Sequence, residues 1–195
     1  MFIVWRKPVT FLARFFERTG PLAEPEAFAS FYASTHLNVF RYIMALCGGL
    51  QAEAEDITAE AYLRAWKHRG QFDGSPAAAL GWVLTIARRI LIDRYRRAAR
   101  APETDLPDDL PDVAPDAESI LVAEEQIGQI LSALQNLPEN ARTVIVLRYV
   151  LGWRVNQIAD HLEMPENTVS VTLRRALKRL QAMLPSPIEG DPDER

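Results

Sequence analysis

The stretch GWRVNQIADHLEMPENTVSVTLRRALKRL, Gly152 to Leu180, carries two short helical periods separated by a tight turn. Val155, Ile158, Ala159 and Leu162 recur at helical spacing, the pattern breaks at Glu163-Met164-Pro165, and a second period runs through Val169, Leu173, Ala176, Leu177 and Leu180. Pro165 cannot continue the first helix but suits the start of the second. If the apolar sides pack together, Glu166, Asn167, Ser170, Val171, Arg174, Arg175 and Lys178 fall on or near the outer face of the second helix. That is the layout of a helix-turn-helix, whose second helix enters a major groove with its first residues at base edges and later cations near phosphates. An amphipathic hairpin with a solvated charged face has the same pattern.

Upstream, Ser119 is the expected N-cap of a helix carrying Ile120, Leu121, Ile127, Ile130, Leu131 and Leu134, with Pro138 beyond its end. Glu139 to Leu151, with Val144, Ile145, Leu147 and Val150, predicts the helix on which the two-helix unit packs. Residues 119–184 thus form one predicted helical domain. Before it, residues 99–118 hold four prolines and seven acids, a composition that cannot bury a core and stiffens toward an extended linker. The tail, 185–195, has the same character and is expected to be disordered.

Residues 26–98 predict a second, three-helix domain. The first helix, about Ala27 to Leu46, ends at Gly48-Gly49; the next, about Ala52 to His68, begins acidic and ends basic, which suits the helix dipole. After the loop Gln71 to Ala77 a long helix reaches Arg97. Its Arg88, Arg89, Arg94, Arg96 and Arg97 lie near Trp82 and Tyr95, the mixture of cations and stacking surfaces used to bind single-stranded nucleic acid. A solvated charged face fits the same composition. Residues 1–25 are basic and aromatic; they read as an N-terminal extension packing on this domain, with an amphipathic surface-seeking segment as the other reading, rather than as a secretory signal.

A net charge of −4 looks wrong for a nucleic-acid binder until it is placed along the chain. Counting Lys and Arg against Asp and Glu, residues 26–98 carry +2 and 119–184 carry +1, whereas 99–118 carry −6 and 185–195 carry −3. The acidity belongs to the linker and tail. One cysteine, Cys47, excludes an internal disulfide, and its apolar setting reads as a small buried hydrophobe. Charges interrupt every apolar run before a membrane-spanning length, so a cytoplasmic chain is expected. The three histidines are scattered and no phosphate loop, nucleophile elbow or acid pair occurs, so neither an enzyme nor a metal or cofactor site is expected.

AEDITAEAYLRAW (Ala54 to Trp66) followed by WVLTIARRILIDRYRR (Trp82 to Arg97) resembles region 2 of the extracytoplasmic-function (ECF) group of bacterial sigma factors, and Leu137 to Leu180 resembles region 4 of the same group, in the family's order. The resemblance implies an all-α, two-domain promoter-specificity subunit that recruits core RNA polymerase and helps to open promoter DNA. It implies polymerase docking, on the β-prime clamp helices and the β flap, with Asp56, Glu60, Leu63, Arg64 and Trp66 at or beside the clamp surface. It implies capture of the melting −10 element by Phe72, Asp73, Ser75, Trp82, Arg88, Arg89, Arg96 and Arg97, with a base extruded into the loop before the long helix. Duplex −35 DNA falls to Glu166, Asn167, Ser170, Val171, Arg174, Arg175 and Lys178, and an anti-sigma factor is the expected inhibitory partner.

The chain departs from the family pattern at Ala59, usually Gln, at Arg89, often Asn, at Glu163, often Gly, and at Ser170-Val171-Thr172, often Lys-Ser-Arg. The last change removes two charges, so promoter preference does not carry over. Two other readings stay open: a sigma mimic that titrates an anti-sigma factor, and a conventional helix-turn-helix regulator that uses only the second domain.

Overall fold

The computed structural model describes residues 20–100 and 117–184. Among them all regular structure is helical. The N-terminal helices are α1 (Pro25–Leu46), α2 (Gln51–His68) and α3 (Pro76–Ala98), with a short 3-10 turn at Arg69–Gln71. The C-terminal helices are α4 (Ala117–Gln135), α5 (Glu139–Ile145), α6 (Val155–Leu162) and α7 (Glu166–Met183). The expected linker over 99–118, the extension over 1–25 and the tail from 185 fall largely or wholly outside the described residues.

Helix boundaries follow local chemistry. Pro25 and Pro76 occupy first turns, where a missing N–H is no loss, and the Ser75 hydroxyl accepts from the Ala78 N–H at 3.3 Å to cap α3. Gly48 and Gly49 stop α1 at φ of +77° and +92°, conformations that glycine adopts without strain. The expected N-cap at Ser119 is corrected: α4 already runs from Ala117, so Ser119 lies in its first turn. The single helix expected over Glu139 to Leu151 is α5 widening into a π-turn at Val146–Val150, with Leu151 N–H donating to the Val146 carbonyl at 3.2 Å.

α1, α2 and α3 pack pairwise as a three-helix unit around Val39, Tyr42, Ile43, Ile57, Val83 and Leu84, all almost wholly buried. α2 presents Ala54, Ala61 and Ala65 inward, and these small side chains let its neighbours approach closely. Truncating Leu84 to Ala here would cost about 2–5 kcal/mol. Phe28 closes one end with its ring edge-on to Tyr62 and Trp66, centroids 6.4 and 5.2 Å away. In the C-terminal half α7 packs on α5, α6 and α4 through Val169, Leu173, Ala176 and Leu180.

The turn between α6 and α7 takes the shape its sequence suggests. Glu163 sits at φ 54°, ψ 42°, the left-handed conformation that disfavours a side chain by about 1–2 kcal/mol. Met164 N–H donates to the Ala159 carbonyl at 2.9 Å, closing α6, and α7 begins directly after Pro165.

The two halves touch. α1 packs against the π-turn and α4, and the buried core continues from one half into the other.

Candidate functional site

α2 turns Ile57, Ala61 and Ala65 inward, which leaves Asp56, Leu63 and Arg64 outward with Glu60 and Trp66 at the margin. Leu63 is 61 % exposed, an apolar side chain set among charges. Arg64 pairs with Glu60 one turn earlier, and Arg94 of α3 reaches the same carboxylate at 3.3 Å, so the two guanidiniums hold Glu60 below the usual carboxylate range despite some desolvation. Arg94 is therefore tied to α2 and also approaches Asp56 at 3.9 Å. Trp66 lies under the Arg69 guanidinium, 3.6 Å from its ring centre, while Arg69 donates to the Ala23 carbonyl at 3.0 Å.

The candidate single-strand residues fall in three settings. Phe72 is buried and its ring stacks on Trp82, centroids 4.9 Å apart and 25° from parallel, so it backs the half-buried Trp82 rather than offering a face of its own. Gly20 pins this loop from behind, because a Cβ there would stand 1.9 Å from the Phe72 carbonyl oxygen. Asp73 and Ser75 are exposed, the Ser75 hydroxyl being used as the cap of α3. Arg89, Arg96 and Arg97 are exposed along α3. Arg88, one residue from Arg89, is only part-exposed and pairs with Glu139 at the start of α5.

On α7 the expected face forms. Glu166, Asn167, Ser170, Arg174, Arg175 and Lys178 are exposed, whereas Val171 is half-buried. Arg179, which periodicity did not single out, is exposed beside them. The first turn therefore offers an amide, a hydroxyl and a carboxylate, and the next two offer cations, a division suited to base edges followed by phosphates.

Sequence reading missed the seam between the halves. Arg142 Nη1 donates to the Leu46 carbonyl at 3.1 Å, and Gln135 Nε2 donates to the same oxygen at 3.1 Å. These satisfy a carbonyl that the end of α1 leaves without a helical partner, and the guanidinium also suits the negative end of that helix. The Gln135 carbonyl and side-chain oxygens accept from Arg142 in turn. At the other end His161 and Trp153, ring edge to face at 5.1 Å, lie over Gly81, where a Cβ would come 3.1 Å from His161 Nδ1. Burial, with Arg88 adding to it, holds the His161 imidazole below its ordinary range.

A cavity of about 440 Å³ remains between these contacts, lined by Leu46, Arg88, Leu91, Tyr95, Glu139 and Arg142. Desolvation pushes the Tyr95 phenol up to about 12. Nearby, the Tyr42 hydroxyl and the Nε atoms of Arg88 and Arg142 are buried without a hydrogen-bond partner, and burial drives the Tyr42 phenol strongly upward. Each unsatisfied atom costs about 1–3 kcal/mol. No signal in a single sequence marks this seam, since its partners are 51 to 96 residues apart.

Residues 31–101 match the Sigma-70 region 2 family and residues 127–180 match Sigma-70, region 4. The chain is 32 % identical over 174 residues to the ECF RNA polymerase sigma factor SigL of Mycobacterium tuberculosis, covering 83 % of this chain and 91 % of that one. This chain belongs to the ECF sigma factors. The sigma factor is also 27 % identical over 164 residues to SigK of Mycolicibacterium vanbaalenii, with 83 % of each chain covered. Its fold is that of the sigma factor RpoE from Bartonella quintana, solved in complex with the anti-sigma factor NepR, with a TM-score of 0.60 at 19 % identity over 80 % of this chain and 95 % of that one. As an alternative sigma factor it serves promoter recognition in transcription initiation. Sigma factors are in general not enzymes, and among the described residues no cluster of His, Cys, Asp and Glu could hold a metal ion and no helix is long and apolar enough to cross a membrane.

Proposed function

We propose that the sigma factor divides its work between two domains, 26–98 and 119–184, joined by the acidic linker 99–118. The outward face of α2, with Asp56, Glu60, Leu63, Arg64 and Trp66, docks on the β-prime clamp helices of core polymerase, and the second domain on the β flap. The loop before α3 and the face of α3, with Asp73, Ser75, Trp82 backed by Phe72, and Arg88, Arg89, Arg96 and Arg97, take the −10 element as single strand. The start of α7, with Glu166, Asn167, Ser170, Val171, Arg174, Arg175 and Lys178, reads the −35 element as duplex. An anti-sigma factor, the kind of partner bound to the Bartonella relative, controls it in the cytoplasm.

The observation that carries this reading is the sorting of α7: its apolar residues Val169, Leu173, Ala176 and Leu180 are buried while its polar and cationic residues face solvent. The test is transcription in vitro with core polymerase and genomic promoter fragments. Promoter-specific transcripts that disappear without this chain are expected. Duplex binding with no binding to core enzyme would make the chain a conventional regulator, and binding to an anti-sigma factor alone would make it a mimic.

A further inference from the structure

We propose that Arg94 of α3 is a positioning residue for polymerase docking: it braces Glu60, and Glu60 in turn holds Arg64 ready for an acidic group of the core enzyme. The inference rests on the docking face proposed above and gives its residues different roles.

Asp56, Glu60 and Arg64 follow one another at four-residue intervals, so they form a row along α2. Arg94 crosses from α3 and spans the first two, with Nη2 3.3 Å from Glu60 Oε2 and Nη1 3.9 Å from Asp56 Oδ2. The other oxygen of Glu60, Oε1, accepts from Arg64 Nη2. One guanidinium therefore lies on each oxygen of Glu60, and its carboxylate is engaged within the protein. Glu60 is a strut. Arg64 gives the strut only Nη2, so the rest of its planar fork, on a side chain that is 46 % exposed, remains for a partner beside the exposed Leu63. A guanidinium at the edge of an apolar contact is suited to a carboxylate, which it can grip with two parallel hydrogen bonds.

The brace matters because arginine is long. A free Arg64 would lose its rotamer freedom on docking, which weakens association by about two- to tenfold for one such side chain; an Arg64 already held by Glu60 has lost that freedom beforehand. The pair within α2 is too weak to do this by itself, since exposed ion pairs one turn apart contribute little. Arg94 anchors it to a second helix and completes a network of two carboxylates and two guanidiniums, the arrangement in which surface charges do hold a geometry. The same contacts take Arg94 out of the basic track of α3, where its position in the sequence would place it.

The experiment titrates the full chain against core RNA polymerase. Arg94→Met keeps the aliphatic stem and removes the charge, and it should lower affinity about two- to tenfold. Arg94→Lys, which keeps the charge but not the fork, should restore part of the loss. The deciding measurement repeats Arg94→Met in an Arg64→Ala background, where nothing remains to be positioned and no further loss is expected. An equal loss in both backgrounds would mean that Arg94 touches the polymerase itself or only supports the fold, and would overturn the relay; so would an Arg94→Met protein that binds core as tightly as the parent. Glu60→Ala changes only the surface of α2, so it reports even if Arg94→Met fails to fold, and its effect should likewise vanish without Arg64. A Glu60→Ala loss that persists would make Glu60 a direct contact and overturn the strut. Titration of a fluorescent single strand carrying a −10 sequence should give the same salt slope for Arg94→Met as for the parent; a flatter slope would return Arg94 to the nucleic-acid track and overturn the relay. If the parent chain binds no core enzyme at all, the proposed function fails instead.

Discussion

At the scale of single residues the informative groups are those whose burial conflicts with their chemistry. Tyr42 is fully buried and its hydroxyl has no partner, so the oxygen contributes desolvation and nothing in return. Tyr42→Phe should therefore raise stability by about 1 kcal/mol in chemical denaturation; a loss of that size would mean that the hydroxyl is bonded after all. His161 makes an opposite kind of statement. Its imidazole is held below the ordinary 6.5 by burial and by Arg88, so the folded state favours the neutral ring. As pH falls below 6.5 the unfolded chain takes up the proton first, so the stabilisation present above that pH declines as pH drops through the folded value. Melting temperature should fall over that interval, and His161→Gln should remove that part of the slope. A slope identical in the variant would place the titration elsewhere.

At the scale of elements, α7 carries the sharpest expectation. Replacing Arg174 or Arg175 by Ala should weaken duplex binding by about 1–3 kcal/mol if the residue reads a base, with relaxed preference at one position, and by less with a flatter salt slope if it touches phosphate. Filter or fluorescence titrations at several salt concentrations separate the two, and unchanged binding in both variants would take α7 out of the interface. Elements were also where sequence reading worked. The turn at Glu163 to Pro165, the stop at Gly48-Gly49 and the inward stripe of α7 depend on residues within a few positions of one another, so periodicity and turn chemistry expose them. The start of α4 was misplaced because a serine ahead of an apolar run is the usual capping signal, whereas the chain is already helical at Ala117. The π-turn at Val146–Val150 was missed because one widened turn hardly disturbs an apolar pattern.

At the scale of the whole molecule the sequence was nearly silent. It showed Arg88 as one cation among five, and nothing local distinguishes it from Arg89; only a carboxylate 51 residues away does so. Arg142 and Gln135 likewise look like ordinary polar residues until the end of α1 is brought beside them. The outward faces of α2 and α7 were legible because each lies on one helix, whereas the seam is a property of two halves. That separation along the chain acquires a meaning on the ribosome. At about 5–20 residues per second, Glu139 emerges roughly 3–10 s after Arg88, and Arg142 roughly 5–20 s after the Leu46 carbonyl it will hold. Throughout that interval the nascent N-terminal helices have a free Arg88. A chain broken off before Glu139 never gains that carboxylate, so in such a fragment the Arg88 guanidinium has to find another anion or water.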